Sequence, residues 1–315
     1  MAVAHFPLRP HPTPLRVVAL GAGVVALVAS GLLAVRYPHQ VRSYLTHWKG
    51  SPTHTEPYVM PSAEDPPALR VAVVGDVGDS GKRLQGTADA IERLSGEMGY
   101  QVLLLLGDNA YPRGDPGQLP GTVFEPFAGV LDGGARLLAI VGNHDVMDGH
   151  GPQQMAAPGM PGLWWSTRMG DVLFVGLDSN EPENPTQKAW LEHTLATTDA
   201  RWKIVALHHP PYSAGYQGSN LAARQAFGPL FVRYGVQLVL SGHEHDYQRS
   251  TVIGGVTYVV SGAASGSRRT GERSFTAASF SWHHFVELDI YPDRIVGRAV
   301  NQSHRVADTW TLAAA

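Results

Sequence analysis

Hydrophobic and polar positions divide this chain into three stretches of different texture. The first is VVALGAGVVALVASGLLAV at residues 17–35, 19 positions without a charge, with Arg16 just before and Arg36 just after. At a rise of about 1.5 Å per residue a helix of that length just spans a hydrocarbon core, and it exceeds the roughly 7 to 15 apolar residues of a signal-peptide core. The pattern predicts one transmembrane signal anchor behind a short basic N-terminus, residues 1–16. A cleaved signal peptide is the runner-up, because Val28, Ala29 and Ser30 resemble a small-residue cleavage site. The second stretch, residues 36–68, is polar and carries Pro38, Pro52, Pro57, Pro61, Pro66 and Pro67 with little apolar periodicity. It reads as a stalk or linker.

From Leu69 to the end, short apolar runs alternate with Gly, Pro, Asp and Asn. The runs fall at 69–74, 102–106, 136–141, 171–177, 203–207, 237–240, 256–260, 284–290 and 294–300. Several are continuously apolar, as strands covered on both faces must be. Helices are predicted between them at 84–98, at 185–197 with Pro185 in the first turn, and at 220–234. The last two runs, with Tyr291 to Asp293 between them, predict a hairpin. No further boundary divides 69–315, which reads as a single α/β domain.

Polar residues that can hold metals sit where the apolar runs stop. AVVGD ends in Asp76, LLLLGD in Asp108, AIVGNHD in Asn143, His144 and Asp145, IVALHH in His208 and His209, and LVLSGHEH in His243 and His245. Open α/β sheets place their sites beyond the carboxyl ends of their strands, so five runs deliver their tips to one edge. Taken singly, each tip is ordinary turn chemistry; jointly they predict a metal site. Gly75, Gly107, Gly142 and Gly242, just before these donors, are expected to let the chain turn sharply off each strand.

Composition narrows the chemistry. The chain of 315 residues has 15 His and no Cys, which removes disulfides, thiolate zinc sites, iron–sulfur clusters and cysteine nucleophiles. Nitrogen and oxygen donors without sulfur suit Fe, Mn, Zn or Co, and a carboxylate such as Asp108 can bridge two ions. Residues 1–55 hold five of the 24 basic residues and none of the 27 acidic ones, so the remainder has a net charge of −8. That balance argues against nucleic acid as a partner.

The ordered blocks Gly-Asp-x-Gly (75–78), Gly-Asp-x-x-Tyr (107–111), Gly-Asn-His-Asp (142–145), the strand ending in His208, and Gly-His-x-His (242–245) resemble those of the calcineurin-like metallophosphoesterases, and within them the purple acid phosphatases. The resemblance covers roughly residues 69–300. It implies a four-layer α/β/β/α sandwich with a dinuclear centre at the strand ends, here preceded by the N-terminal transmembrane helix. Phosphodiesterase-type relatives carry a metal-binding His two residues after the first Asp; this chain has Gly78 there, and Tyr111 is the position of the ferric phenolate ligand in purple acid phosphatases.

Carried over residue by residue, the resemblance puts Fe(III) on Asp76, Asp108, Tyr111 and His245, and a divalent Fe, Zn or Mn on Asp108, Asn143, His208 and His243. A metal-bound hydroxide then attacks phosphorus in line. His144 is expected to stabilise the phosphoryl group or protonate the leaving oxygen, with Asp145 orienting its ring. Asn143, His144 and Gln217 are the substrate-binding candidates. Gln217 arises from a departure: the family generally has a second, non-ligand His downstream of the His208 position, and an ungapped count reaches Gln217. Glutamine can bond a phosphate but cannot supply a proton, so His283 and His284 are candidates to replace that His.

The function expected is hydrolysis of phosphomonoesters on a phosphorylated small molecule, in an extracytoplasmic domain anchored to the membrane, or secreted after cleavage. Two rivals use the same residues: a phosphodiesterase or nucleotidase on this scaffold, and a non-catalytic, membrane-anchored phosphate-binding protein. Oligomeric state is not legible in the sequence.

Overall fold

The computed structural model describes residues 48–314 apart from Glu97. The apolar segment 17–35 lies outside the described residues, and among the described residues no helix is long and apolar enough to cross a membrane. The stretch expected to be a linker as far as residue 68 joins the domain earlier than that. Lys49 bridges to Thr270, and Glu56–Pro57 form a short strand, β1, against the C-terminal strand. An edge is where a sheet tolerates proline, since only one side of the strand must supply N–H groups.

After β1 the strands are β2 (Leu69–Val74), β3 (Val102–Leu105), β4 (Arg136–Ala139), β5 (Trp165–Met169), β6 (Val172–Leu177), β7 (Trp202–Leu207), β8 (Leu238–Ser241), β9 (Tyr247–Ser250), β10 (Thr257–Ser261), β11 (Thr276–Phe280), β12 (His284–Ile290), β13 (Arg294–Asn301) and β14 (Arg305–Ala313). They form two seven-stranded sheets, ordered β1-β14-β13-β12-β2-β3-β4 and β11-β9-β10-β8-β7-β6-β5. Strands β2, β3 and β4 run parallel in the first sheet, and β6, β7, β8 and β10 in the second. The expected hairpin is present as β12 and β13, with Ile290 opposite Ile295. All nine apolar runs form strands; the short or polar strands β5, β9, β11 and β14 have no such run to announce them.

The continuous apolar runs are explained by what covers each face. In β6, Val172 and Phe174 face the core shared with the first sheet, while Leu173, Val175 and Leu177 face a second core. That second core is completed by Leu191 and Leu195 of one helix and by Phe227 and Phe231 of another. Successive strand residues point to opposite faces, so a strand buried on both sides has no polar position to spend.

Among the described residues five α-helices accompany the sheets: α1 (Lys82–Ser95), α2 (Ala128–Asp132), α3 (Gly151–Ala156), α4 (Pro185–Thr197) and α5 (Leu221–Arg233). Helix α4 begins as the sequence predicts, with Pro185 in the first turn and Asn184 Oδ1 accepting from the N–H groups of Thr186 and Gln187. Helix α1 stops three residues short of the expected 98. The chain turns out at Gly96, with φ 55°, and Arg70 takes over the terminal carbonyls.

Arg70, at the start of β2, is 1% exposed. Its guanidinium donates to the carbonyls of Leu94 (3.1 Å), Ser95 (2.9 Å) and Gly99 (3.2 Å), to the Tyr58 hydroxyl (3.0 Å), and to Glu287 (3.0 Å) and Asp289 (3.3 Å) of β12. One side chain thus closes a helix end and, together with Arg298, which also pairs with both, neutralises two buried carboxylates. Removing Arg70 strips the helix-end carbonyls of their donor and leaves Arg298 alone against two buried carboxylates, which costs about 3 to 5 kcal/mol. Arg70→Met is therefore expected to lower the free energy of unfolding by about that amount in a denaturant titration. A stability equal to wild type would show that the network holds nothing together.

Candidate metal centre

The strand-end residues meet, but from two sheets rather than along the edge of one. Asp76, Asp108 and Asn143 follow β2, β3 and β4 of the first sheet; His208, His243 and His245 follow β7 and β8 of the second. The join is made by His208, which is fully buried and whose Nδ1 lies 2.8 Å from the carbonyl of Leu106. A carbonyl can only accept, so Nδ1 carries the proton. Nε2 is left to face Asn143 Oδ1 at 3.1 Å and Asp108 Oδ1 at 3.4 Å, where it holds a proton against the carboxylate and would give its lone pair to a cation.

A second convergence lies beside the first. The Tyr111 hydroxyl is 3.1 Å from Asp76 Oδ1 and 3.1 Å from His245 Nε2, and His245 Nε2 is 3.2 Å from Asp76 Oδ1. Asp76, Asp108 and His208 can each bring a donor atom within 4.8 Å of the others. The His243 ring meets that of His208 edge-on, with centroids 5.1 Å apart. The Tyr111 hydroxyl donates to Asp76 Oδ1, and the remaining oxygens and nitrogens converge with few protons to share, an arrangement that a cation among them would stabilise. The donor set, free of sulfur and rich in carboxylate, fits hard or borderline metal ions.

Backbone donors keep the carboxylates in place. Asp76 Oδ2 accepts from the N–H of His243 at 2.9 Å, and Asp108 Oδ1 from that of His144 at 3.0 Å. Each carboxylate is thereby fixed by the segment that carries another donor. The cost appears in the backbone: Asp76, Asp108 and His243 have φ of 59°, 53° and 70°, a left-handed conformation that side chains other than glycine adopt rarely. The glycines before the donors serve differently from the expectation. Only Gly107, with φ 86°, supplies a turn of its own; Gly142 is needed because a Cβ there would run into the Asp108 carboxylate.

The electrostatics follow from the crowding. Burial would lower His208, but the Asp108 charge and hydrogen bond hold it up at about 10. Burial and the His208 charge push His243 down to about 2. For Asp108 burial works upward, yet His208 and the His144 N–H outweigh it and hold the carboxyl well below its usual range. Burial and the charges of Asp76 and Asp108 drive the Tyr111 phenol far above its ordinary value. A bound cation inverts that logic, because it stabilises the phenolate that the carboxylates oppose.

One expected role is corrected. Asp145 does not touch the His144 ring, whose Nδ1 is bonded instead to the carbonyl of Pro112 at 2.6 Å. The Asp145 carboxylate is fully buried, with burial and the Asp108 charge pushing it up to about 7. It accepts from the N–H groups of Asn109 (2.8 Å), Ala110 (3.2 Å) and Gly142 (2.8 Å) and from the Asn109 amide (3.0 Å). It ties the loop after β3 to the loop after β4, so its place is scaffold rather than chemistry.

A cleft of about 370 Å³ opens over these residues, lined by Asp108, Tyr111, Asn143, His144, Gln217, His243 and His245. Asp79, Ser265 and Arg268 also line it, and no apolar run points to those three. His283 and His284 do not. His284 is buried between Ser261 Oγ and the Trp282 carbonyl, where burial pushes it down to about 4, and His283 Nδ1 is bonded to the Ala263 carbonyl. His209, a neighbour the sequence leaves without a role, packs 4.5 Å from the His243 ring and is held by Ser179 Oγ at 2.9 Å.

Asp145→Ala strands the buried N–H groups of Asn109, Ala110 and Gly142, each at about 1 to 3 kcal/mol. A loss of about 3 kcal/mol or more in unfolding free energy is expected, with a smaller loss for Asp145→Asn; undiminished stability would return Asp145 to the chemistry.

Comparison with known proteins agrees with this arrangement. Residues 69–247 match the sequence model of the calcineurin-like phosphoesterase family. Tartrate-resistant acid phosphatase type 5 from Homo sapiens is 29% identical over 251 residues, 66% of this chain and 77% of that protein. A cAMP/cGMP dual specificity phosphodiesterase from Mycobacterium tuberculosis is 29% identical over 244 residues, 68% of this chain and 73% of that protein. The fold is similar to that of a purple acid phosphatase from yellow lupin seeds, with a TM-score of 0.68 at 19% identity over 81% of this chain and 55% of that one. The family match runs from the start of β2 through the Gly-His-x-His block, so it takes in every strand end described above: this chain belongs to the calcineurin-like phosphoesterases and is a phosphoric ester hydrolase.

Proposed function

We propose that the chain hydrolyses phosphomonoesters in the manner of a purple acid phosphatase. On this reading Asp76, Asp108, Tyr111 and His245 hold Fe(III), and Asp108, Asn143, His208 and His243 hold a divalent Fe, Zn or Mn. The observation that carries it is the Tyr111 hydroxyl, 3.1 Å from both Asp76 Oδ1 and His245 Nε2. The alternative donor, a His at position 78, has no room: a Cβ on Gly78 would stand 2.8 Å from the Tyr111 nitrogen and 2.9 Å from that of Ala110. A phenol beside two carboxylates becomes an anion only against strong positive charge, which suits a trivalent ion.

When bound, two ions polarise the phosphoryl oxygens and supply a nucleophile near neutral pH. The protein's own groups do the rest. With Nδ1–H given to the Pro112 carbonyl, His144 presents Nε2 to the cleft, where it can bond a phosphoryl oxygen or pass a proton to the leaving oxygen. Asn143 and Gln217 can orient the ester by hydrogen bonds, and neither can donate a proton to it.

The phosphodiesterase reading stays as the second, favoured by the mycobacterial relative. Hydrolysis of p-nitrophenyl phosphate faster than of bis(p-nitrophenyl) phosphate by about tenfold or more, some 1.4 kcal/mol in activation free energy, is the expected result; the reverse order selects the diesterase. For the centre itself, metal analysis with a visible spectrum is decisive. A tyrosinate-to-iron charge-transfer band that disappears in Tyr111→Phe is expected, and a colourless protein with two zinc or two manganese ions would overturn the assignment.

A further inference from the structure

The segment that supplies His243 and His245 also faces the other way. Residues 243–246 alternate: the two imidazoles line the cleft, while Glu244 and Asp246, each 1% exposed, point into the protein behind it. Glu244 Oε1 accepts from the backbone N–H groups of Gln217 (2.7 Å) and Gly218 (2.6 Å) and from Ser213 Oγ (3.2 Å). Asp246 accepts from the Gln248 amide at 2.9 and 3.1 Å, and the oxygen of that amide accepts from the Ala214 N–H at 2.6 Å. Gly215 rests directly on the pair: a Cβ there would stand 2.6 Å from Glu244 Oε2 and 2.9 Å from Asp246 Oδ2. Loop 213–218 is therefore built on two buried carboxylates, and its Gln217 lines the cleft.

A buried carboxylate is an expensive way to fill space, and no basic side chain pairs with Glu244 among the described residues. What it supplies that an apolar residue cannot is one oxygen that accepts from two backbone donors at once. Those donors belong to the residue that enters the cleft and to the one after it. The chain connecting Glu244 to this loop is the same chain that carries the two imidazoles, one residue away on either side.

We propose that Glu244 is a positioning residue for the substrate: by holding the Gln217 and Gly218 amides from between His243 and His245, it fixes loop 213–218 relative to the metal ligands and so sets where Gln217 meets the phosphoester. The inference rests on the cleft being a phosphoester site, as proposed above. It assigns the departure at 217 a support of its own, since a glutamine acts only through hydrogen bonds and is useful only where its amide is held still.

The test is a double-mutant cycle read with p-nitrophenyl phosphate, with metal content and thermal unfolding followed in parallel. Gln217→Ala is expected to lower kcat/KM about tenfold, and Glu244→Ala by at least as much, with metal content unchanged. If Glu244 acts through the loop, adding Gln217→Ala to Glu244→Ala lowers kcat/KM no further. Glu244→Gln, whose amide oxygen still accepts both N–H groups, recovers most of the activity. Should Glu244→Ala fail to fold, Gly215→Ala takes its place in the cycle, because it lifts the loop off the carboxylates and leaves Glu244 intact. Additive losses overturn the proposal, as does loss of metal from both Glu244 variants, which would make the residue a support for the imidazoles. Wild-type kinetics in Gln217→Ala would remove the substrate contact at 217, and a wild-type protein inactive on the monoester would fail the phosphatase reading itself.

Discussion

The centre gathers hydrogen-bond acceptors at short range and out of water, and much of the surrounding structure exists to hold them there. Two carboxylates, an amide oxygen, a phenol and three imidazoles would separate if their strands were free to shift. They are kept together by backbone N–H groups drawn from one another's segments, His243 to Asp76 and His144 to Asp108. Three of these residues accept a left-handed backbone to do it. Concentrated strain of this kind persists only where the neighbouring structure over-determines it, and Asp145 beneath the loops is the clearest case of that support.

Because the acceptors come from two sheets, the site also fastens the sandwich. His208 reaches across from β7 to the Leu106 carbonyl after β3. That bond fixes the tautomer of an imidazole proposed to hold metal and the spacing of the sheets together, a coupling of outer contact to ligand geometry that metal sites use widely. The relatives fit this picture at two levels. The lupin phosphatase shares the fold, and the acid phosphatase and the phosphodiesterase share the sequence to the same degree. Identity across the family therefore does not separate the branches, and the proposed reading turns instead on one local feature, a glycine at 78 with a tyrosine at 111.

Most of the centre could be read from the sequence because each donor follows a run of residues that can only be a doubly covered strand. Asp76, Asp108, Asn143, His208, His243 and His245 all announce themselves in that way. What the apolar pattern alone cannot convey is which sheet a strand joins; only the family resemblance, with its two-sheet sandwich, points beyond a single edge. Nor does adjacency tell which side chain a residue will meet. Asp145 follows His144 directly, yet it turns inward to satisfy amides, and the carbonyl that does hold the imidazole comes from Pro112. Position 217 was reachable by counting from His208, whereas Asp79 and Arg268 sit in loops with no periodicity to place them. His284, a candidate for the missing imidazole, is instead buried at the start of β12, paired with β13 and bonded to Ser261.

Strand β2 carries Arg70 near its start and Asp76 just past its end, about 20 Å apart at the rise of an extended chain. Its pairing with β12 places Val73 opposite Val286 and Leu69 opposite Ile290. A slip of one residue would turn every side chain of the strand to the wrong face. It would also part Arg70 from Glu287 and draw Asp76 away from Tyr111 and His245 in a single movement. The ion network at one end and the cluster of carboxylate, phenol and imidazole at the other thus read the same alignment, so a misthreaded chain dismantles both by one fault.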